Sequence, residues 1–162
     1  MIIGVRAALL LEGLQEVEGG FANYMGVATG YLSAKHRPGF VDTIIAFHLE
    51  SDNQPSRGAF HVVAKGFDHR FPFEIAGGHW MSVAAFPLLI PVLEEGALQI
   101  SLTAEGRAIR KPWSYTWQLE FQDPPESLPK EEFDRFLAEC HAGADRMKRS
   151  LVTRPGPGLK GN

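Results

Sequence analysis

Cysteine is almost missing from this sequence. Cys140 stands alone, so no disulfide can close within the chain, which is the usage of a reducing compartment. The signatures of the common catalytic classes are missing too. There is no G-x-S-x-G elbow, no H-E-x-x-H, no phosphate-cradling glycine loop and no dinucleotide fingerprint, which disfavours serine hydrolases, zincins, P-loop enzymes and Rossmann dehydrogenases. Long apolar runs are scarce. The first, Ala7 to Leu11, is ended by Glu12 and Gly13, too short for a membrane span and without a signal-peptide cleavage pattern. Neither sign of charge dominates: 16 Lys and Arg face 19 Asp and Glu, for a net charge of −3. No global attraction to nucleic acid or an anionic membrane follows from that balance. These deficits lead us to expect a cytoplasmic protein with neither of those partners.

What the sequence does have is alternation. At 162 residues with 44% apolar content it fits one ordinary soluble domain. The stretch Trp113–Phe121 is the clearest signal. Trp113, Tyr115, Trp117, Leu119 and Phe121 share one parity, and Ser114, Thr116, Gln118 and Glu120 share the other. A strand turns successive side chains to opposite faces, so this describes an aromatic inner face and a wet outer one. The same period recurs in Val41–Glu50, in Ala59–Gly66 and around Leu98–Leu102. Residues 2–11 are apolar on both faces except for Arg6, which suits a central or covered strand. Glu16–Gly20 reads as a turn, and Phe21–Leu32 as one strand weakened by Gly26 and Gly30. Pro72 demotes Phe67–Ile75 to an edge strand or an irregular crossing, and Pro87 and Pro91 argue against a long regular element over Trp80–Ile90.

Pro124 and Pro125 stop the sheet pattern, and the period then changes. Phe133, Phe136, Leu137, Cys140, Ala144, Met147 and Leu151 recur at helical spacing. Acidic Glu131, Glu132 and Asp134 lie near the start of that segment, and basic Arg146, Lys148 and Arg149 near its end, as the helix dipole favours. The reading is therefore a mainly β chain: an antiparallel two-layer β-sandwich over residues 1–121, a linker over 122–129, an amphipathic helix over 130–151, and a proline- and glycine-rich disordered tail over 152–162.

Through Ala8-Leu9-Leu10-Leu11-Glu12-Gly13, the glycine turn after it and the strand ending Val27-Ala28-Thr29-Gly30, the sequence resembles an uncharacterised family of small bacterial β-sandwich proteins of unknown function. The exposed hairpin around residues 41–66 and the Glu95-Gly96 turn before Leu98-Gln99-Ile100 carry the likeness as well. The resemblance covers residues 7–121 and implies a bacterial two-layer sandwich. It carries no active site across.

The sharpest local pattern involves His48, Glu50 and His61. If the strands holding them form a hairpin with Leu49 opposite Phe60, His48 faces His61 on the solvent side with Glu50 two residues along. Two imidazoles and a carboxylate are the ligand types of zinc or non-haem iron. No cofactor is expected unless these three hold a divalent metal; the plainer reading is solvated histidines. Arg107, Arg110 and Lys111 beside Trp113 could hold a phosphate, though such loops are mostly solvated. Cys140 and His141 are adjacent on a helix and do not face each other, so a buried structural thiol is expected there. Trp80 or Tyr31 could serve a sugar, but nothing singles out a platform. No residue is assigned a catalytic role. The function expected is a non-catalytic binding or assembly module with a protein partner or a second copy, the helix being a candidate to pack across a two-fold axis. The alternative is a metal-dependent enzyme or metal-binding protein using His48, Glu50 and His61.

Overall fold

Period-two patterning becomes ten strands in the computed structural model, which describes residues 1–17, 21–104 and 107–153. They are β1 (Ile2–Leu11), β2 (Gly13–Val17), β3 (Phe21–Met25), β4 (Tyr31–His36), β5 (Gly39–Ser51), β6 (Ser56–Ala64), β7 (Phe67–Ile75), β8 (Met81–Val92), β9 (Gly96–Ala104) and β10 (Arg107–Glu126), followed by α1 (Lys130–Thr153). Three sheets result: β1-β5-β8, β4-β10-β9-β6-β7 and the hairpin β2-β3. All pairings are antiparallel except β4 with β10, so the five-stranded sheet is mixed. One of the sheets is curled into a half-barrel.

The core lies where the apolar parity of one large sheet meets that of the other. On β5 the buried residues include Val41, Thr43, Ile45, Phe47 and Leu49, and on β6 they include Phe60, Val62 and Ala64. Phe47 meets Phe60 across the sheets at a centroid distance of 5.5 Å and stands edge-on to Trp113 at 5.7 Å. Phe60 also lies 4.7 Å from Phe86 of β8 and 4.8 Å from Phe71 of β7. Ring pairs in this range add about 0.5–1.5 kcal/mol each beyond the area they bury. Gly58 leaves room for this packing: a Cβ there would come within 2.8 Å of Ile2 Cδ1 and Phe73 Cζ.

The strand through Trp113–Phe121 forms as patterned, with Trp117, Leu119 and Phe121 buried. Tyr115 departs from the pattern. It shares the parity of Trp117, yet it is 47% exposed and rests its ring 4.4 Å from the Trp117 ring. β7 is the edge strand that Pro72 implies.

Several expectations need correction. The span Phe21–Leu32 is not one strand: Gly26 adopts φ 61°, the chain breaks, and β3 and β4 join different sheets. The start of the expected turn at 16–20 is strand, because β2 pairs with β3 through Val17; residues 18–20 lie outside the described residues. Trp80–Ile90 does form a long regular element, since β8 runs with β5 in unbroken register from Met81 to Val92. The ladder of β10 with β4 breaks after Phe121 but resumes at Glu126, so part of the expected linker is strand. The helix runs to Thr153, past the basic residues, so only its acidic first turn, Glu131 and Glu132, complements the dipole. Of the expected tail, residues 154–162 lie outside the described residues.

α1 folds back on its own chain. Phe133 stacks on Phe40 of β5 at 5.2 Å and Phe136 meets the same ring edge-on, while Cys140 and Ala144 are buried. Its apolar stripe is therefore spent on intrachain packing, which removes the basis for placing this helix across a two-fold axis. The first helical bond, Phe133 N–H to the Pro129 carbonyl at 2.9 Å, starts the helix directly after the proline.

Candidate functional site

β5 does not form a hairpin with β6. It pairs with β1 and β8, whereas β6 pairs with β7 and β9. Phe47 and Phe60 point inward from the two sheets, so their neighbours His48 and His61 point outward on opposite sides. The register that placed the two imidazoles together is thus corrected. Each of the three residues has its own partner: His48 Nε2 is hydrogen-bonded to the Tyr24 hydroxyl at 2.8 Å, Glu50 takes the Arg6 guanidinium at 3.1 Å, and His61 Nε2 meets Asp68 Oδ1 at 2.6 Å. Among the described residues no three His, Cys, Asp or Glu side chains converge as a metal site. His79, on the β7–β8 connection, contributes its carbonyl to the Ser51 hydroxyl.

The remaining candidates are also separated. Trp113 turns its ring into the core against Phe47, while Arg110 is exposed and the Lys111 stem lies against Gly4. The side chain of Arg107 lies outside the described residues. Cys140 is buried, and burial, with Glu139 nearby, pushes its thiol up to about 11.

His141 points away from Cys140 and enters a chain that sequence gave no reason to assemble. His69 Nε2 lies 2.9 Å from His141 Nδ1, and Lys148 Nζ lies 2.6 Å from His69 Nδ1 and 3.2 Å from Asp145 Oδ1. An ammonium can only donate, so His69 Nδ1 accepts, its Nε2–H donates to His141 Nδ1, and His141 keeps its proton on Nε2. His69 is 9% exposed, and burial first, then the Lys148 ammonium and the neighbouring His141, hold its pKa below the ordinary value. The chain joins β7 to α1.

Depressions on the described surface include one of about 80 Å³ beside Lys65 and Glu94 and one of about 300 Å³ beside Arg57 and Glu74. Each is spanned by an ion pair, Lys65–Glu94 at 3.3 Å and Arg57–Glu74 at 2.8 Å. Small-molecule sites are typically enclosed, mainly apolar clefts of about 300–1,000 Å³, and neither depression is of that kind.

The conspicuous surface is β8. Its inward parity, Phe86, Leu88 and Ile90, is core. Its outward parity is Met81, Val83, Ala85, Pro87 and Leu89, all exposed, with Met81 at 49% and Val83 at 55%. Trp80, at the start of the strand, is 65% exposed. The β2–β3 hairpin reaches the neighbouring strand on this face through Tyr24 on His48, whereas the outward residues of β8 are exposed.

β8 is also an edge strand, paired to β5 alone. Proline has no N–H to give, so in an unbroken ladder Pro87 and Pro91 must turn their nitrogens away from β5. Residues of the same parity then direct N–H and C=O to the free edge: Met81, Val83, Ala85 and Leu89. From Trp80 to Leu93 the sequence holds no Asp, Glu, Lys, Arg or His. The other edge strands carry exposed charges: Arg6 on β1, Lys35 on β4, and Asp68, Arg70 and Glu74 on β7. Charges of that sort are how sheets avoid pairing edge to edge.

No helix among the described residues is long and apolar enough to cross a membrane. No protein-family model matches the chain, and no curated protein matches it in sequence.

Proposed function

We propose that the protein is a non-catalytic association module of the cytoplasm, a two-layer β-sandwich that docks a protein segment along β8. The single observation that carries this reading is the uncharged free edge of β8 with its apolar outer face, Met81, Val83, Ala85 and Leu89, left open. An extended segment laid against such an edge gains main-chain hydrogen bonds and, at alternate positions, apolar side-chain contacts. The absence of charge in the strand favours a protein partner over nucleic acid. The sandwich reading rests on the ring contacts of Phe47 and Phe86 with Phe60, which span the two larger sheets.

The test is photo-crosslinking in the native cell from a reactive side chain placed at position 83, with position 99 on exposed β9 as the control. A discrete protein adduct from position 83 alone supports the proposal, whichever protein it contains. No adduct from 83, or the same adduct from both positions, contradicts it.

A further inference from the structure

We infer that the segment docked on β8 is β8 of a second copy of this chain, paired antiparallel about a two-fold axis at Val83. This rests on the association role just proposed and names its partner.

Three features point to a second copy. The first is charge. An isologous contact sets each side chain near its own copy, so any charge on the strand would meet a like charge across the axis. β8 alone among the edge strands of the two larger sheets has none to repel.

The second is the donor pattern. The free-edge N–H groups available before the first proline belong to Met81, Val83 and Ala85, one at every second residue. Only one register of two antiparallel copies uses all of them. Val83 faces the partner's Val83, Met81 faces the partner's Ala85, and Ala85 faces the partner's Met81, each pair exchanging N–H to C=O bonds. Pro87 ends the ladder on both sides, since it can donate nothing further. The paired stretch therefore has a length set by the strand itself.

The third is position. α1 packs where Phe40 meets Phe133 and Phe136, and Phe40 lies in register with Pro91, at the far end of β8. Met81 and Val83, at the opposite end of the strand, are 49% and 55% exposed. The pairing joins two β1-β5-β8 sheets into one, and continues the outward row Met81, Val83, Ala85 across the axis into the matching row of the partner.

The register makes position 83 self-facing, and that gives the experiment. Val83 is more than half exposed in the chain, so both Val83→Lys and Val83→Glu should fold, which thermal melting of each variant checks. Sedimentation of the wild type at about 10 to 100 μM should show a dimer in equilibrium with monomer. Each variant alone should be monomeric over that range, its dissociation constant raised about a hundredfold by like charges at the axis. Mixing the two variants should restore the dimer, because Lys and Glu then face each other. A monomeric wild type, a variant that dimerises as well as the wild type, or a mixture that stays monomeric overturns the inference. A monomeric wild type with a crosslinked adduct of another protein at position 83 leaves the association role standing. The absence of any adduct removes both.

Discussion

His69 Nε2 and His141 Nδ1 lie 2.9 Å apart, although 72 residues separate them in sequence, and this contact ties α1 to β7. Burial lowers the pKa of His69 first, helped by Lys148 and His141, and opposed by Asp145 on the helix and Asp68 on β7. Below the ordinary value of 6.5 the unfolded chain binds a proton that the folded chain resists. Stability from this group is therefore complete above pH 6.5 and is lost as pH falls from there through the lowered folded value. Urea denaturation on either side of that pH should show the loss, and His69→Gln should flatten the slope in this window.

Cys140 should be inert in the native state. With its thiol raised to about 11 and its side chain buried, almost no thiolate is present or reachable near neutral pH. A coloured thiol reagent should react in full only after denaturant is added. Rapid stoichiometric labelling of the folded protein would contradict the buried placement.

Phe60 is fully buried between both large sheets, so Phe60→Ala removes contacts with Phe47, Phe71 and Phe86 together. A loss of about 3–5 kcal/mol in unfolding free energy is expected. Gly58→Ala should cost less, about 1–3 kcal/mol, through the crowding of Ile2 and Phe73. Denaturant titration of both variants gives the order.

The Tyr24 hydroxyl on His48 pins the β2–β3 hairpin to β5. Tyr24→Phe keeps the ring and loses the bond, at about 1 kcal/mol. Amide exchange should quicken in β2 and β3 and stay unchanged in β6 and β9. A uniform change throughout the protein would mean that the hairpin does not open on its own.

Local periodicity made much of this fold readable. β5, β6, β9 and β10 show alternation because each presents one face to the core, and the helical stripe of Phe133, Cys140 and Ala144 is equally local. Partner choice was not readable. The loop between β5 and β6 suggested a hairpin, but β5 crosses to the other sheet, so the pairing of His48 with His61 dissolved with that register. Pro87 and Pro91 hide β8 from a reading by period, because proline interrupts a ladder. At an edge, with its nitrogen turned outward, it breaks nothing, and that same fact marks the free edge. The His69, His141 and Lys148 chain was invisible because only the return of α1 onto β7 assembles it. Tyr115 shows the remaining limit: parity tells which face a side chain takes, not whether another element covers it.

The most direct measurement is amide hydrogen exchange across β8 as a function of protein concentration. Protection at Met81, Val83 and Ala85 should rise with concentration while the amides of β9 stay constant. Unchanged fast exchange at these three positions up to the highest concentration would contradict self-pairing along this edge. Full protection at the greatest dilution would also do so, since the edge would then be closed within the chain.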